Sequence, residues 1–278
     1  MIENSGSAKL REAVVSGIFY PEDPGALREA VEFELAKADP KRTRAAAILS
    51  PHAGFEYAGA VSASAWAAAR GRRPSVAVFL APYHRSEESA VWLPEAEVFQ
   101  TPLGDVKVDR SSVEELETCG TLFRQNDIPH FEEHGIEVQL PFLQMLFPGV
   151  PAVPILLGKP TPTTVDSLAK ALSLVFSDSA GSALFVVSTN FAGLTSESDA
   201  PGRLERVLTH IASGDDGSLY EEYRGETPDM CGVGCLVSLM RSRLLAGRSW
   251  KLLGRADSAS KRSSQSEKIV FYVGGCWV

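Results

Sequence analysis

Short apolar runs alternate with stretches of helical periodicity along most of this chain, and that alternation constrains its fold more than any other feature. Residues 45–50, 75–81, 152–157, 183–188, 250–255 and 269–273 read as strands. Residues 25–38, 59–69, 112–119, 136–147, 163–176, 202–213 and 232–246 read as helices. Strands interleaved with helices predict an α/β layered fold. Local signals agree. Ser112 with Glu115 has the spacing of a capping box. Pro162-Thr163 suits a first helical turn. Thr101-Pro102-Leu103-Gly104-Asp105 supplies turn chemistry for a hairpin across 99–108. The serine-rich stretch 256–268 has no apolar period and reads as a solvated loop before the last strand. No repeat or linker divides the 278 residues, so one domain is expected over 1–278.

Composition narrows the function classes. With 44% apolar and 22% charged residues the chain has an ordinary globular balance. A net charge of −8 argues against nucleic-acid and anionic-membrane partners, which need a basic footprint. No apolar run approaches the ~18 residues of a spanning helix. The start, Met1-Ile2-Glu3-Asn4-Ser5, lacks the basic and apolar regions of a signal peptide. Cys119, Cys231, Cys235 and Cys276 are too scattered for a disulfide framework. Reduced thiols and a cytoplasmic location are therefore expected.

The candidate chemistry sits where strands end. His52 follows the run 45–50 in Ser50-Pro51-His52-Ala53-Gly54, and His84 follows 75–81 in Ala81-Pro82-Tyr83-His84. Open α/β sheets bind ligands beyond the carboxyl ends of their strands, so neighbouring strands would bring both imidazoles to one rim. Prolines restrict each exit, and Gly54 permits close backbone approach. Cys231, after Asp229-Met230, falls where a helix begins, a place that favours the thiolate. Two neutral imidazoles and one thiolate form a three-ligand set that leaves positions open, as catalytic and redox sites need. Cys235, four residues on, reads as a small buried residue. In Glu132-Glu133-His134-Gly135-Ile136-Glu137, the carboxylates of Glu133 and Glu137 can hold an imidazole tautomer, relay protons beside His134, or simply favour a helix start.

Taken together, Ser16-Gly17-Ile18-Phe19-Tyr20-Pro21, Pro51-His52-Ala53-Gly54-Phe55-Glu56-Tyr57-Ala58-Gly59, Ala81-Pro82-Tyr83-His84, the stretch from Glu133-His134-Gly135 to Gln139-Leu140-Pro141-Phe142, and Cys231-Gly232 resemble the Memo family ("mediator of ErbB2-driven cell motility"). Bacterial and archaeal members are also called AmmeMemoRadiSam system protein B. The matches run in order over most of the chain. The resemblance implies a LigB-like fold, related to class III extradiol dioxygenases with non-haem iron. That fold is a layered sandwich with a central, mostly parallel or mixed sheet flanked by helices. It implies His52, His84 and Cys231 as metal ligands, copper- or iron-dependent redox chemistry, and a peptide-binding surface that includes Phe19 and Tyr57. The chain departs from the family's Ser-Ser-Asp-Phe-x-His pattern. It reads Ser188-Thr189-Asn190-Phe191-Ala192-Gly193, with Asn190 for aspartate and Gly193 for histidine. Asparagine exchanges hydrogen bonds but cannot act as a base. Val233 and Cys235 also replace the usual Arg and Pro.

Two functions follow as expectations. The first is a metal-dependent redox protein binding iron or copper, with zinc as a further option, in which His134 and Glu137 handle protons or support the ligands and Asn190 joins them among the catalytic candidates. The second is a binding module without turnover, in which Phe19, Tyr20, Tyr57 and Tyr83 supply aromatic contact area for a small molecule, peptide or partner protein. Metal-assisted hydrolysis would need His134, Glu133 or Glu137 as base. No Gly-x-Ser-x-Gly elbow, P-loop or dinucleotide fingerprint stands out.

Overall fold

Apolar residues at every position of a strand imply helices on both faces of its sheet, and the computed structural model bears this out for residues 9–38, 43–193, 200–223, 230–259 and 269–278, which it describes. The strands are β1 (Leu10–Arg11), β2 (Ala47–Ser50), β3 (Val76–Pro82), β4 (Val91–Leu93), β5 (Val98–Thr101), β6 (Gly104–Lys107), β7 (Phe123–Gln125), β8 (Ala152–Leu157), β9 (Ala183–Ser188), β10 (Phe191–Gly193), β11 (Trp250–Asp257) and β12 (Ile269–Trp277). The helices are α1 (Pro24–Lys37), α2 (Phe55–Ala67), α3 (Arg110–Glu117), α4 (Asp127–Glu132), α5 (Leu140–Leu146), α6 (Pro162–Phe176), α7 (Ala200–Ser213), α8 (Asp216–Tyr223) and α9 (Val233–Arg241).

Nine strands form the central sheet in the order β10-β12-β2-β9-β3-β8-β4-β7, with β11 on the free edge of β12. Its middle, β2-β9-β3-β8, is parallel, and antiparallel pairs flank it. Every residue of these four strands is buried. Phe79 of β3 pairs with Val186 of β9, so Phe79 and Phe185 point to opposite faces. Trp66 of α2 packs on Phe79 and, stacked, on Phe142 of α5. Phe176 of α6 meets Phe185 edge-on. Hence α2 and α5 cover one face and α6 the other. A small sheet, β1-β5-β6, includes the hairpin expected across 99–108.

Several expectations shift. The strand 269–273 extends to Trp277, and α2 begins at Phe55 rather than 59. The helix from 232 closes at Arg241, shortly before Arg243 takes a positive φ of 63°. The capping box is absent: α3 begins at Arg110 behind Asp109, and the Ser112 hydroxyl donates to Asp109 instead. The helix 136–147 is split into a 3₁₀ turn, Glu137–Gln139, and α5. Pro141 lacks an N–H and suits a first α-helical turn, so the regular helix starts there. Of the loop 256–268, Ala256 and Asp257 lie in β11 and residues 260–268 fall outside the described residues.

The buried Arg11 of β1 ties α4 down, its Nε donating to the His130 carbonyl at 2.8 Å. The His130 ring lies against Phe99 and is itself buried. Burial, and then the Arg11 charge, push its pKa from 6.5 down to about 3. An unfolded His130 takes up a proton near pH 6.5, whereas the folded one waits until about pH 3. Stability must therefore fall as pH drops through that window, by up to about 1.4 kcal/mol per pH unit. A His130→Leu variant is expected to show a flatter decline in denaturant midpoint between those two pH values. A slope equal to that of the unmodified protein would refute the assignment.

Candidate metal centre

Parallel register brings three strand ends together. Ser50 of β2 lies beside Ser188 of β9, and Leu80 of β3 beside Val187. His52 and His84 each lie two residues past their strands, and Thr189-Asn190 leave β9 between them. The buried His52 ring has Nδ1 3.1 Å from Ser188 Oγ and Nε2 3.4 Å from Cys231 Sγ. His84, whose side chain is 38% exposed, directs Nδ1 to Glu133 Oε2 at 2.7 Å. Its backbone N–H donates to the same oxygen at 3.0 Å. One ligand atom each from His52, His84 and Cys231 can be chosen within 4.8 Å of one another.

Cys231 precedes α9, and glycine lets it approach. A Cβ on Gly232 would stand 2.7 Å from Thr189 Cβ, closer than side chains tolerate. Without it, Cys231 N–H donates to the Asn190 carbonyl at 3.1 Å and Gly232 N–H to Thr189 Oγ1 at 2.8 Å. The sulfur receives the Asn190 N–H at 3.1 Å and lies 3.4 Å from Thr189 Oγ1. By contrast, a Cβ on Gly54 would meet only ordinary contacts, the nearest at 3.5 Å, so the close approach expected there is not made.

The electrostatics favour a thiolate at Cys231. Burial raises the Cys231 thiol, but the charge and hydrogen bonds of His52 and His84 outweigh it and hold the sulfur well below the usual thiol range. Burial likewise opposes ionisation of Glu133, yet its bonds to His84 bring it down to about 2. Burial lowers His84, but Cys231 and Glu133 overcome that and raise it to about 10. A carboxylate on the distal ring nitrogen is the usual support of a ligating histidine. With His84 Nδ1 taken up by Glu133, the donors left facing one another are two Nε2 atoms and the sulfur, His52 Nε2 standing 3.4 Å from Cys231 Sγ. These residues fit a transition-metal ion. A cavity of about 230 Å³ opens beside His84 and Cys231, lined also by Tyr83, Leu157, Pro160 and Cys235.

Other expected site residues divide. His134 joins the cluster, its ring 5.4 Å from that of His52 and 5.8 Å from that of His84, with Phe19 edge-on at 4.7 Å. Burial, then the charge of His52, push it down to about 4. Tyr83 donates its hydroxyl to Glu132 at the rim. Asn190 Oδ1 accepts the His52 backbone N–H at 3.0 Å. Glu137 is elsewhere and fully buried. It is ion-paired with Arg11 and accepts from Val14 N–H and Val15 N–H at 3.0 Å each and from the Tyr20 hydroxyl at 2.5 Å. Tyr20 is consequently buried, with its hydroxyl turned inward. Tyr57 is 39% exposed and neighbours Tyr272. Sequence reasoning missed Arg11 and did not separate Glu133 from Glu137. Ser188 and Gln139 gave no signal beyond being polar at buried positions.

The family profile described as Memo-like protein matches residues 11–275. A MEMO1 family protein of Thermotoga sp. (strain RQ2) is 31% identical over 93% of this chain and 96% of its own length. Another, from Methanothermobacter thermautotrophicus, is 27% identical over 94% of this chain and 98% of its own length. Among solved structures, an uncharacterized Escherichia coli K12 protein superposes with a TM-score of 0.49 at 12% identity, covering 81% of this chain and 98% of that one.

The placement of Glu137 carries a test. Glu137→Gln would strand the buried Arg11 guanidinium without its counter-charge, and breaking such a pair costs about 3–5 kcal/mol. Denaturant unfolding should register that loss. A change below about 1 kcal/mol, the range of exposed pairs, would show that the pair is not the anchor described.

Proposed function

Because the chain belongs to the Memo-like family, we propose that it holds one redox-active transition-metal ion on His52 Nε2, His84 Nε2 and Cys231 Sγ and acts on a small molecule or peptide in the adjoining cavity. One observation carries this reading: both rings have Nδ1 engaged by protein partners, on Ser188 and Glu133, while a sulfur held below the thiol range faces their other edges. Imidazole with thiolate suits iron, copper or zinc, and redox work selects iron or copper. Bound there, the metal would supply electron transfer or oxygen activation at its open positions. Glu133 orients His84, Asn190 fixes the His52 backbone, and Phe19 packs edge-on against His134, whose ring lies beside those of His52 and His84. The free cysteines and acidic charge suit a cytoplasmic protein without nucleic-acid partners.

A second reading, a peptide- or protein-binding module that keeps the pocket without turnover, is favoured by one arrangement. Asn190 is committed to His52 and position 193 is glycine, so neither of these two positions offers a base. Phe19 and Tyr83 would then supply the contact area.

Elemental analysis of protein purified without added metal is expected to find about one iron or copper per chain. His52→Ala and Cys231→Ser should lose it, and equal content in all three would end the proposal. Glu133→Gln should weaken affinity about 10–100-fold. The bound ion should change oxidation state under dithionite and return under air; an ion inert to both would leave the binding module as the better reading.

A further inference from the structure

His84 is oriented by a carboxylate, whereas His52 rests on a hydroxyl, and a hydroxyl can give or take a proton. What decides the direction lies deeper in the core. Gln139, on the 3₁₀ turn, is fully buried. Its Oε1 accepts from Trp66 Nε1 at 2.9 Å. Its Nε2 donates to the Pro51 carbonyl at 2.8 Å and to Ser188 Oγ at 3.4 Å. An indole N–H only donates and a carbonyl only accepts, so the amide cannot be reversed without losing both bonds. Gln139 therefore presents N–H, not oxygen, to Ser188. The single hydroxyl hydrogen of Ser188 goes to the Gly135 carbonyl at 2.6 Å, which can only accept. Toward His52 the Ser188 oxygen is thus an acceptor. The Nδ1 of His52 must bring the hydrogen to their 3.1 Å contact. Gly135 completes the arrangement, since a Cβ there would lie 3.3 Å from His52 Nδ1 and 3.2 Å from Ala81 Cβ.

We propose that Ser188 is a positioning residue, polarised by Gly135 and by a Gln139 amide locked on Trp66, that keeps a hydrogen on His52 Nδ1 in the metal-free protein and so reserves Nε2, which faces Cys231 Sγ at 3.4 Å, as the edge that can take a metal. The inference rests on reading the pocket as a metal site. It adds that the two ligand histidines are set by different devices, one anionic at the rim and one neutral within the core.

The test is proton NMR of the metal-free protein labelled with ¹⁵N-histidine, paired with zinc affinity by chelator competition. The wild type should show a slowly exchanging His52 Nδ1–H resonance, assigned by its absence in His52→Ala. Ser188→Ala should lose that resonance and weaken zinc binding about 10–100-fold, while Ser188→Thr, which keeps a hydroxyl, should retain both. A wild type without a protected Nδ1–H, or a Ser188→Ala variant that keeps it, overturns the proposal; the first outcome needs no variant to fold. Should the wild type show the resonance but bind no zinc, iron or copper, the metal reading fails while the assignment of the His52 hydrogen stands.

Discussion

The parallel pairing of β2, β9 and β3 is the constraint on which the rest depends. Parallel strands end on the same side of a sheet, so the loops leaving Ser50, Ser188 and Pro82 emerge as neighbours although they are far apart along the chain. This pairing needs no contribution from the site: it is driven by four wholly buried strands clamped between α2 and α5 on one face and α6 on the other. Polar residues that follow these strands inherit positions fixed by apolar packing. That separation of tasks lets the core carry the geometry while the rim carries the chemistry.

Buried polar groups near the rim had to be satisfied, and the way they are satisfied sorts structure from function. Glu133 and Glu137 lie four residues apart on the sequence. Glu137 falls on the 3₁₀ turn and points to β1, where Arg11, Tyr20 and two backbone amides surround its carboxylate. Glu133 directly follows α4 and points to the strand ends, where one oxygen serves His84 and the other accepts from the His134 and Gly135 amides at 2.8 and 3.1 Å. Arg11 connects the two, since its Nη2 also donates to the Glu133 carbonyl at 2.9 Å. The ion pair anchors the segment, and the other carboxylate, held by it, faces His84 and the His134 amide.

Much of this was legible in the sequence where one physical cause dominates. Continuous apolar runs gave the central strands with small errors in their ends, because burial on both faces leaves no other reading. His52 and His84 were recognisable from their place just past such runs. What could not be read were β4, β7 and β10, of three residues each, whose pairing is set by neighbours distant in sequence rather than by local pattern. Directions of side chains were equally hidden. A helical period over 136–147 gives no hint that Pro141 marks a change from 3₁₀ to α geometry, yet that change accompanies the inward turn of Glu137 and Gln139. The aromatic residues of 16–21 looked alike in sequence, but Phe19 lies against His134 while Tyr20 closes over Glu137.

An asparagine rather than an aspartate at position 190 makes physical sense in the place it occupies. The side-chain Oδ1 of Asn190 accepts the His52 N–H, a bond that a carboxylate could also accept, so the amide keeps the loop in place. Its own backbone N–H meanwhile points at Cys231 Sγ from 3.1 Å. A carboxylate on the same residue would set a second negative charge beside the sulfur and push the thiol back toward its protonated form. The neutral amide preserves the orientation without that repulsion. An amide at position 190 thus supports a thiolate at Cys231 and offers no base of its own.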